Sequence, residues 1–333
     1  IVFNWMMTVL SFLSNLLLIL LVRNVNVTAM GSYSRLIYVS AMMDVIIALS
    51  NSIVVPNIHM GKYSFVVFGV GTCDWPALPG LISIYIFDLL FYQTFALLCF
   101  HFIYRYIVLL GHYSSNSSLW DLNIWQWTGI GIFFEIIFNA IMTFFISHFE
   151  PKTVSATHFS HIDWKPDTRL VSDMRVYYGI DMTKPFGHFH VVYAEVDAES
   201  ESVSVNWPIV IYTLSILGLI AMLGELCRLV NRSTVTISNI YSDKNIRAST
   251  HRQFFRALVI QTVVPLTISF TPVGCLVLLP LTGLQFGTLG NYLMSMTAVY
   301  PAIDPLLMIV CIQSYRRKIY IWIEFCVPPK YRM

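Results

Sequence analysis

With 56% hydrophobic residues, 11% charged residues and a mean hydropathy of +0.68 over 333 residues, the chain is far more apolar than a soluble domain, in which roughly 25% of residues are charged. A formal net charge of +2 without any long Lys/Arg block excludes a nucleic-acid-binding arm. Apolar runs recur evenly and no linker divides them, so the chain is expected to form one integral membrane domain.

A helix needs about 20 largely apolar residues to cross the hydrocarbon layer. Seven segments meet that requirement, at 1–23, 34–56, 80–110, 122–147, 206–230, 254–280 and 288–313. The expected fold is therefore an all-α membrane protein, a seven-helix bundle. The first segment opens at Ile1 with neither an initiator Met nor a charged front, so it is expected to act as the insertion signal; either a short N-terminal piece is missing or the protein starts abruptly. With the N-terminus outside, fourteen Lys and Arg fall on the inner side and six on the outer side. That bias favours this orientation. The outer loop at 148–205 carries nine acidic and five basic residues. After the seventh segment, "SYRRKIYIWIEFC" pairs a basic face with an apolar one, as expected of an amphipathic helix at 314–326 lying on the inner leaflet and held by membrane lipid. Cys326 at its end is a candidate for palmitoylation.

Enzymatic signatures are missing: no nucleophile elbow, phosphate loop, dinucleotide fingerprint or HExxH occurs, and no catalytic residue or cofactor is expected. The six cysteines, at 73, 99, 227, 275, 311 and 326, lack metal-ligand spacing, and Cys73 has no second outer cysteine. The sequons at Asn26, Asn116 and Asn231 fall in expected inner loops, out of reach of glycosylation. "HFSH" and "GHFH" place His158, His161, His188 and His190 in the long outer loop. Four imidazoles could meet there around zinc; the other reading, a surface loop bearing Tyr and His, is preferred, and no metal is expected.

Polar chemistry within the segments remains. Asp44, Asp88, Glu135, Glu225 and Asp304 are ionisable residues in apolar runs, and Asn15 joins them. Each costs at least ~2.5 kcal/mol to insert, so such residues face the bundle interior and mark function or structural hydrogen bonds. Asn15, Asp44 and Asp304 lie at depths that allow one shared cluster.

These residues sit in recognisable motifs. "SNLLLILLV" at 14–22, Asp44, "YRY" at 104–106 and "DPLLM" at 304–308 resemble, in that order, the helix motifs of rhodopsin-like receptors. "FALLCFHFIYRYIVL" (95–109), "YYGIDMTK" (177–184), "STHRQFFRALVIQTVVPLTISFTP" (249–272) and "YPAIDPLLMIVCIQSYRRKI" (300–319) are similar to the Str family of nematode seven-transmembrane chemoreceptors. The resemblance implies a chemosensory G protein-coupled receptor at the plasma membrane of a sensory cilium. A small-molecule odorant and a heterotrimeric G protein are its implied partners. Its ligand would bind in the outer half of the bundle, against Tyr85, Phe87, Asp88, Phe91 and Tyr92. Coupling would fall to Tyr104, Arg105 and Tyr106, with Glu225 the nearest acidic partner and Arg256 at the base of the sixth segment. Pro265 and Pro272 would provide the hinge, and Asn15, Asp44, Asp304 and Pro305 the intramembrane polar cluster. The sequence departs from the wider receptor pattern at Tyr104 and Met308, and the loop at 148–205 lacks the cysteine needed for a clamp to the third helix. A small transporter or channel is the alternative, but no repeat symmetry accompanies it.

Overall fold

Asn4, Thr8, Ser11 and Asn15 recur at spacings of four, three and four, which puts them on one face of a helix. All four are buried in α1 (Val2–Asn24), while Val2, Trp5, Met6, Val9, Phe12 and Leu13 stay exposed on its other side. An apolar face left open and a polar face turned inward is the pattern of a helix in lipid. The computed structural model describes residues 1–25, 33–113, 168–182, 186–196, 202–207 and 266–326, with scattered positions between 126 and 140 and between 209 and 264.

The polar face of α1 packs on α2 (Tyr33–Val54), where the Thr8 hydroxyl donates to the Ala48 carbonyl at 2.9 Å. α3 (Ala77–Tyr113) runs longer than the expected third segment. Four stretches are long and apolar enough to cross a membrane among the described residues: Val2–Asn24, Ser34–Val54, Ala77–Thr94 and Leu289–Cys311. The continuously described part of the sixth segment opens with a π-helical turn, Leu266–Phe270, and continues as α5 (Thr271–Leu278), numbered after the loop helix α4 introduced below. Pro272 at the start of α5 has no N–H, and its ring crowds the carbonyl four residues back. The wider π turn relieves that conflict.

The seventh segment is not one straight helix. It divides into α6 (Leu289–Thr297) and α7 (Tyr300–Cys311), joined by a tightened turn in which Ala298 N–H bonds Ser295 O and Val299 N–H bonds Met296 O. Pro301 and Pro305 follow, each removing a donor from the ladder. At Ile312 the backbone becomes extended, and α8 (Gln313–Cys326) sets off in a new direction with Tyr315 buried against Leu18, Leu21, Ile37 and Met308.

The all-α expectation needs correction outside the spans. α2 passes through Val55, at φ 47°, straight into β1 (Pro56–Met60), which turns back as β2 (Ser64–Gly69). The loop expected at 148–205 supplies α4 (Thr168–Tyr178) and β3 (His188–Val192), with β3 pairing antiparallel to β2 in a sheet of order β1-β2-β3. A separate hairpin joins β4 (Ala194–Val196) to β5 (Val203–Val205). The three-stranded sheet is covered on both faces. Ile58, Met60, Phe65, Val67 and Phe189 pack towards the helices against Leu81, Ile84, Phe87 and Met294. Val66 and Phe68 pack the other way, against Leu170 and Met174 of α4.

Candidate functional site

The sheet closes one end of the bundle and is bolted to it at several points. Met60 exchanges two backbone hydrogen bonds with Gly287, at 3.0 and 2.9 Å, just ahead of α6. Gly187 abuts the first turn of α3 so closely that a Cβ there would lie 2.3 Å from the Gly80 carbonyl carbon. This contact fastens the loop to the third helix without any disulfide; Cys73 is a free thiol whose Sγ donates to Val70 O. The Tyr193 hydroxyl, beyond β3, donates to Val277 O at 3.1 Å and lies 3.2 Å from Thr213 Oγ1. Burial pushes its phenol pKa up to about 12, so it stays a donor.

Beneath the sheet lies a layer of aromatic side chains. Tyr85 meets Phe189 of β3 edge-on with ring centroids 4.5 Å apart. Phe91 lies parallel to Phe87 at 6.5 Å and edge-on to Tyr92 at 6.1 Å and to Phe270 of the π turn at 5.8 Å. Such edge-to-face pairs contribute about 0.5–1.5 kcal/mol beyond their area. The residues expected to line a ligand site thus divide: Phe87 and Phe91 are buried in packing, whereas Tyr85, Asp88 and Tyr92 are only partly covered. Phe189, Tyr193 and Phe270 escaped the sequence reading, because two of them lie in what reads as a polar loop.

On the α4 side the sheet carries histidines. Register places His59, Val66 and His190 in one row across the three strands, with Asn57, Phe68 and His188 in the next. His188 and His190 are therefore not on a loop surface but buried, at 1% and 6% exposure. His188 donates from Nδ1 to Phe186 O and stacks on the Phe186 ring at 4.4 Å. Burial lowers the pKa of both imidazoles, that of His190 to about 3 with His188 adding to the effect. Among the described residues no group of three His, Cys, Asp or Glu is placed to hold a metal ion. His158 and His161 lie outside the described residues.

Near the middle of the spans, α1 meets α7. Pro305 cannot donate to the carbonyl of Pro301, four residues back, and α1 fills that gap. Ser11 Oγ and Asn15 Nδ2 both donate to Pro301 O at 3.0 Å, and Ser14 Oγ donates to Ala302 O at 3.1 Å. Asp44 of α2 and Asp304 of α7 are both buried. Asn15, Asp44 and Asp304 thus lie on three helices that pack on one another.

The remaining expected residues are placed less closely. Glu225 forms a hydrogen-bonded ion pair with Arg228, three residues along its own helix, on an exposed face. Tyr104, Arg105 and Tyr106 lie on the backbone of α3, but their side chains are outside the described residues, as are Glu135, Arg256, Pro265 and the Cys326 side chain. Pro272 and Pro305 are buried in their helices.

Long apolar helices that turn polar faces inward define a polytopic membrane protein. From residue 1 to 320 the chain matches the family described as "Serpentine type 7TM GPCR chemoreceptor Str". It therefore belongs to the Str family of serpentine seven-transmembrane G protein-coupled chemoreceptors, a receptor class and not an enzymatic one. It is 20% identical over 335 residues to Serpentine receptor class r-10 of Caenorhabditis briggsae, covering 96% of this chain and 88% of that protein. It is 23% identical over 301 residues to Serpentine receptor class J-38 of Caenorhabditis elegans, covering 87% and 82%. Over 300 residues it is 23% identical to G-protein coupled receptor str-33 of the same organism, covering 88% and 81%.

Proposed function

We propose that the protein is an odorant receptor of the plasma membrane. Its N-terminus and sheet face outside, its ligand is a small molecule held under the sheet, and the ligand drives a heterotrimeric G protein on the cytoplasmic side. The observation that carries this reading is the aromatic layer joining α3 to β3 and to the π turn of the sixth segment. A ligand wedged between Tyr85, Asp88, Phe91 and Tyr92 would bear on Phe270. The π turn behind that ring is a weak point in the helix, and a push there is transmitted as a swing of its other end. Arg105, on the inner end of α3, then presents its guanidinium to the G protein, while its stem stays in apolar surroundings. Anchoring by the positive-inside bias is the other role open to Arg105.

Family membership also weighs against the transporter alternative. Placement in a sensory cilium follows from the same chemosensory reading. A screen of volatile and water-soluble compounds in cells expressing the receptor, read by second messenger, tests the function. An agonist whose potency falls at least tenfold in Tyr85→Ala or Phe91→Ala, at equal surface level, is the expected result. Potency unchanged in both would move the ligand elsewhere.

Asp88 separates ligand classes. Kept protonated, it offers a hydrogen bond to a carbonyl-bearing odorant, the role we favour; ionised, it would pair with an amine. Asp88→Asn is expected to shift the potency of a neutral agonist only slightly and to cut that of a cationic one severely.

A further inference from the structure

His59 sits at the centre of a chain of hydrogen bonds that crosses three elements. Asn291 of α6 donates from Nδ2 to the Tyr178 hydroxyl of α4 at 2.8 Å, and its Oδ1 accepts Ile58 N–H of β1 at 3.0 Å. The Tyr178 oxygen is 3.4 Å from His59 Nδ1, and His59 Nε2 is 3.4 Å from Asp173 Oδ2 of α4. With a neutral imidazole the chain runs in one direction: Asn291 donates to Tyr178, Tyr178 to Nδ1, and Nε2–H to Asp173. His59 is itself 1% exposed.

A proton on Nδ1 destroys that order. Both ring nitrogens become donors, so Nδ1–H points at a Tyr178 oxygen that already accepts from Asn291, and the phenolic hydrogen loses its acceptor. Tyr178 is partly covered, and a donor shielded from water and left unmade is destabilising. We propose that the sheet end of the receptor is an acid-releasable clasp, in which protonation of His59 frees α4 from α6 and loosens the cover over the bundle. Taken with the proposed orientation, external acid would thereby change how readily ligand enters.

The surroundings fix the direction of the effect. Asp173 is the one carboxylate in contact among the described residues, and it favours the protonated ring. The other titratable groups on α4 are Tyr177, stacked near His59, Tyr178, and the exposed Arg169 and Arg175, with Asp181 just beyond. β3 contributes His188 and His190, and α6 the neutral Asn291. Burial is the largest influence and holds the His59 pKa below the ordinary imidazole value, with Asp173 offsetting part of it. The released chain takes up a proton near pH 6.5, above the closed form. The closed form is therefore fully favoured above that pH and loses ground as pH falls towards the closed-state pKa. His190, held to about 3, titrates well below this window.

Hydrogen–deuterium exchange of the purified full chain tests the clasp, with protection of residues 168–182 corrected for intrinsic exchange from pH 7.5 to 4.5. Detergent exposes both faces to the same pH and no ligand is added, so the outcome stands apart from the receptor assay and from orientation. Protection of α4 should fall below pH 6.5 at up to about tenfold per pH unit, the limit for one proton. His59→Gln should remove the pH step. Asp173→Asn, at a partly exposed site, should keep the fold and the onset near pH 6.5 but carry the fall on to lower pH, since the charge that favours protonation of the closed form is gone. No step in the wild type, a step surviving in His59→Gln, or a fall that levels off in Asp173→Asn at the same pH as in the wild type would each overturn the proposal.

Discussion

Asn15 shows how one residue can serve two helices. Its side-chain amide replaces the donor that Pro305 takes from α7, sharing Pro301 O with Ser11. Because Ser11 remains, Asn15→Ala should destabilise the detergent-solubilised protein by only about 1 kcal/mol, within the roughly 0.6–2 kcal/mol of intramembrane hydrogen bonds. The double variant with Ser11→Ala should lose more than the sum of the two, as thermal unfolding would show; strict additivity would mean that the two donors do not share the carbonyl. Tyr193→Phe should cost about 1–2 kcal/mol, since Val277 O and Thr213 lose a buried partner. Asn15, Asp44 and Asp304 could be singled out from sequence as polar residues in apolar runs. His59, Asp173, Tyr178 and Asn291 could not, because each lies where polar residues are ordinary and only the fold brings them together.

Among the described residues, helices were legible where apolar runs were long, while the break in the seventh segment was not expected from the sequence. The split of the seventh segment into α6 and α7 follows Pro301 and Pro305, and the π turn precedes Pro272. The sheet was not legible. β2, "SFVVFG", is buried on both faces and so lacks the alternation that marks a half-exposed strand, while β3 lies in a stretch whose acidic neighbours make it read as loop. "HFHVV" against "SFVVF", each bounded by glycine, was the available signal. The contact of Gly187 with Gly80 is the element-scale substitute for the missing disulfide, and a Cβ at Gly187 would strike backbone. Gly187→Ala is accordingly expected to cost about 1–3 kcal/mol and to lower surface expression. Wild-type expression and melting temperature would show that the loop can shift aside freely.

The whole molecule combines a closed end, a polar seam and two weak helices in a receptor of the Str family. Its orientation is checked by tags in the loop at 148–205 and after Met333, stained with and without permeabilisation. The loop tag should be accessible on intact cells and the tail tag only after permeabilisation. Arg105→Ala should abolish signalling at equal surface level while ligand binding persists; unchanged output would leave Arg105 a topological anchor. The central claim, that ligand under the sheet drives a G protein, is met most directly by guanine-nucleotide exchange on purified heterotrimers with the purified receptor and an agonist from the screen. The account predicts agonist-dependent acceleration of exchange that disappears in Arg105→Ala. Saturating agonist binding with no acceleration on any heterotrimer class would contradict it.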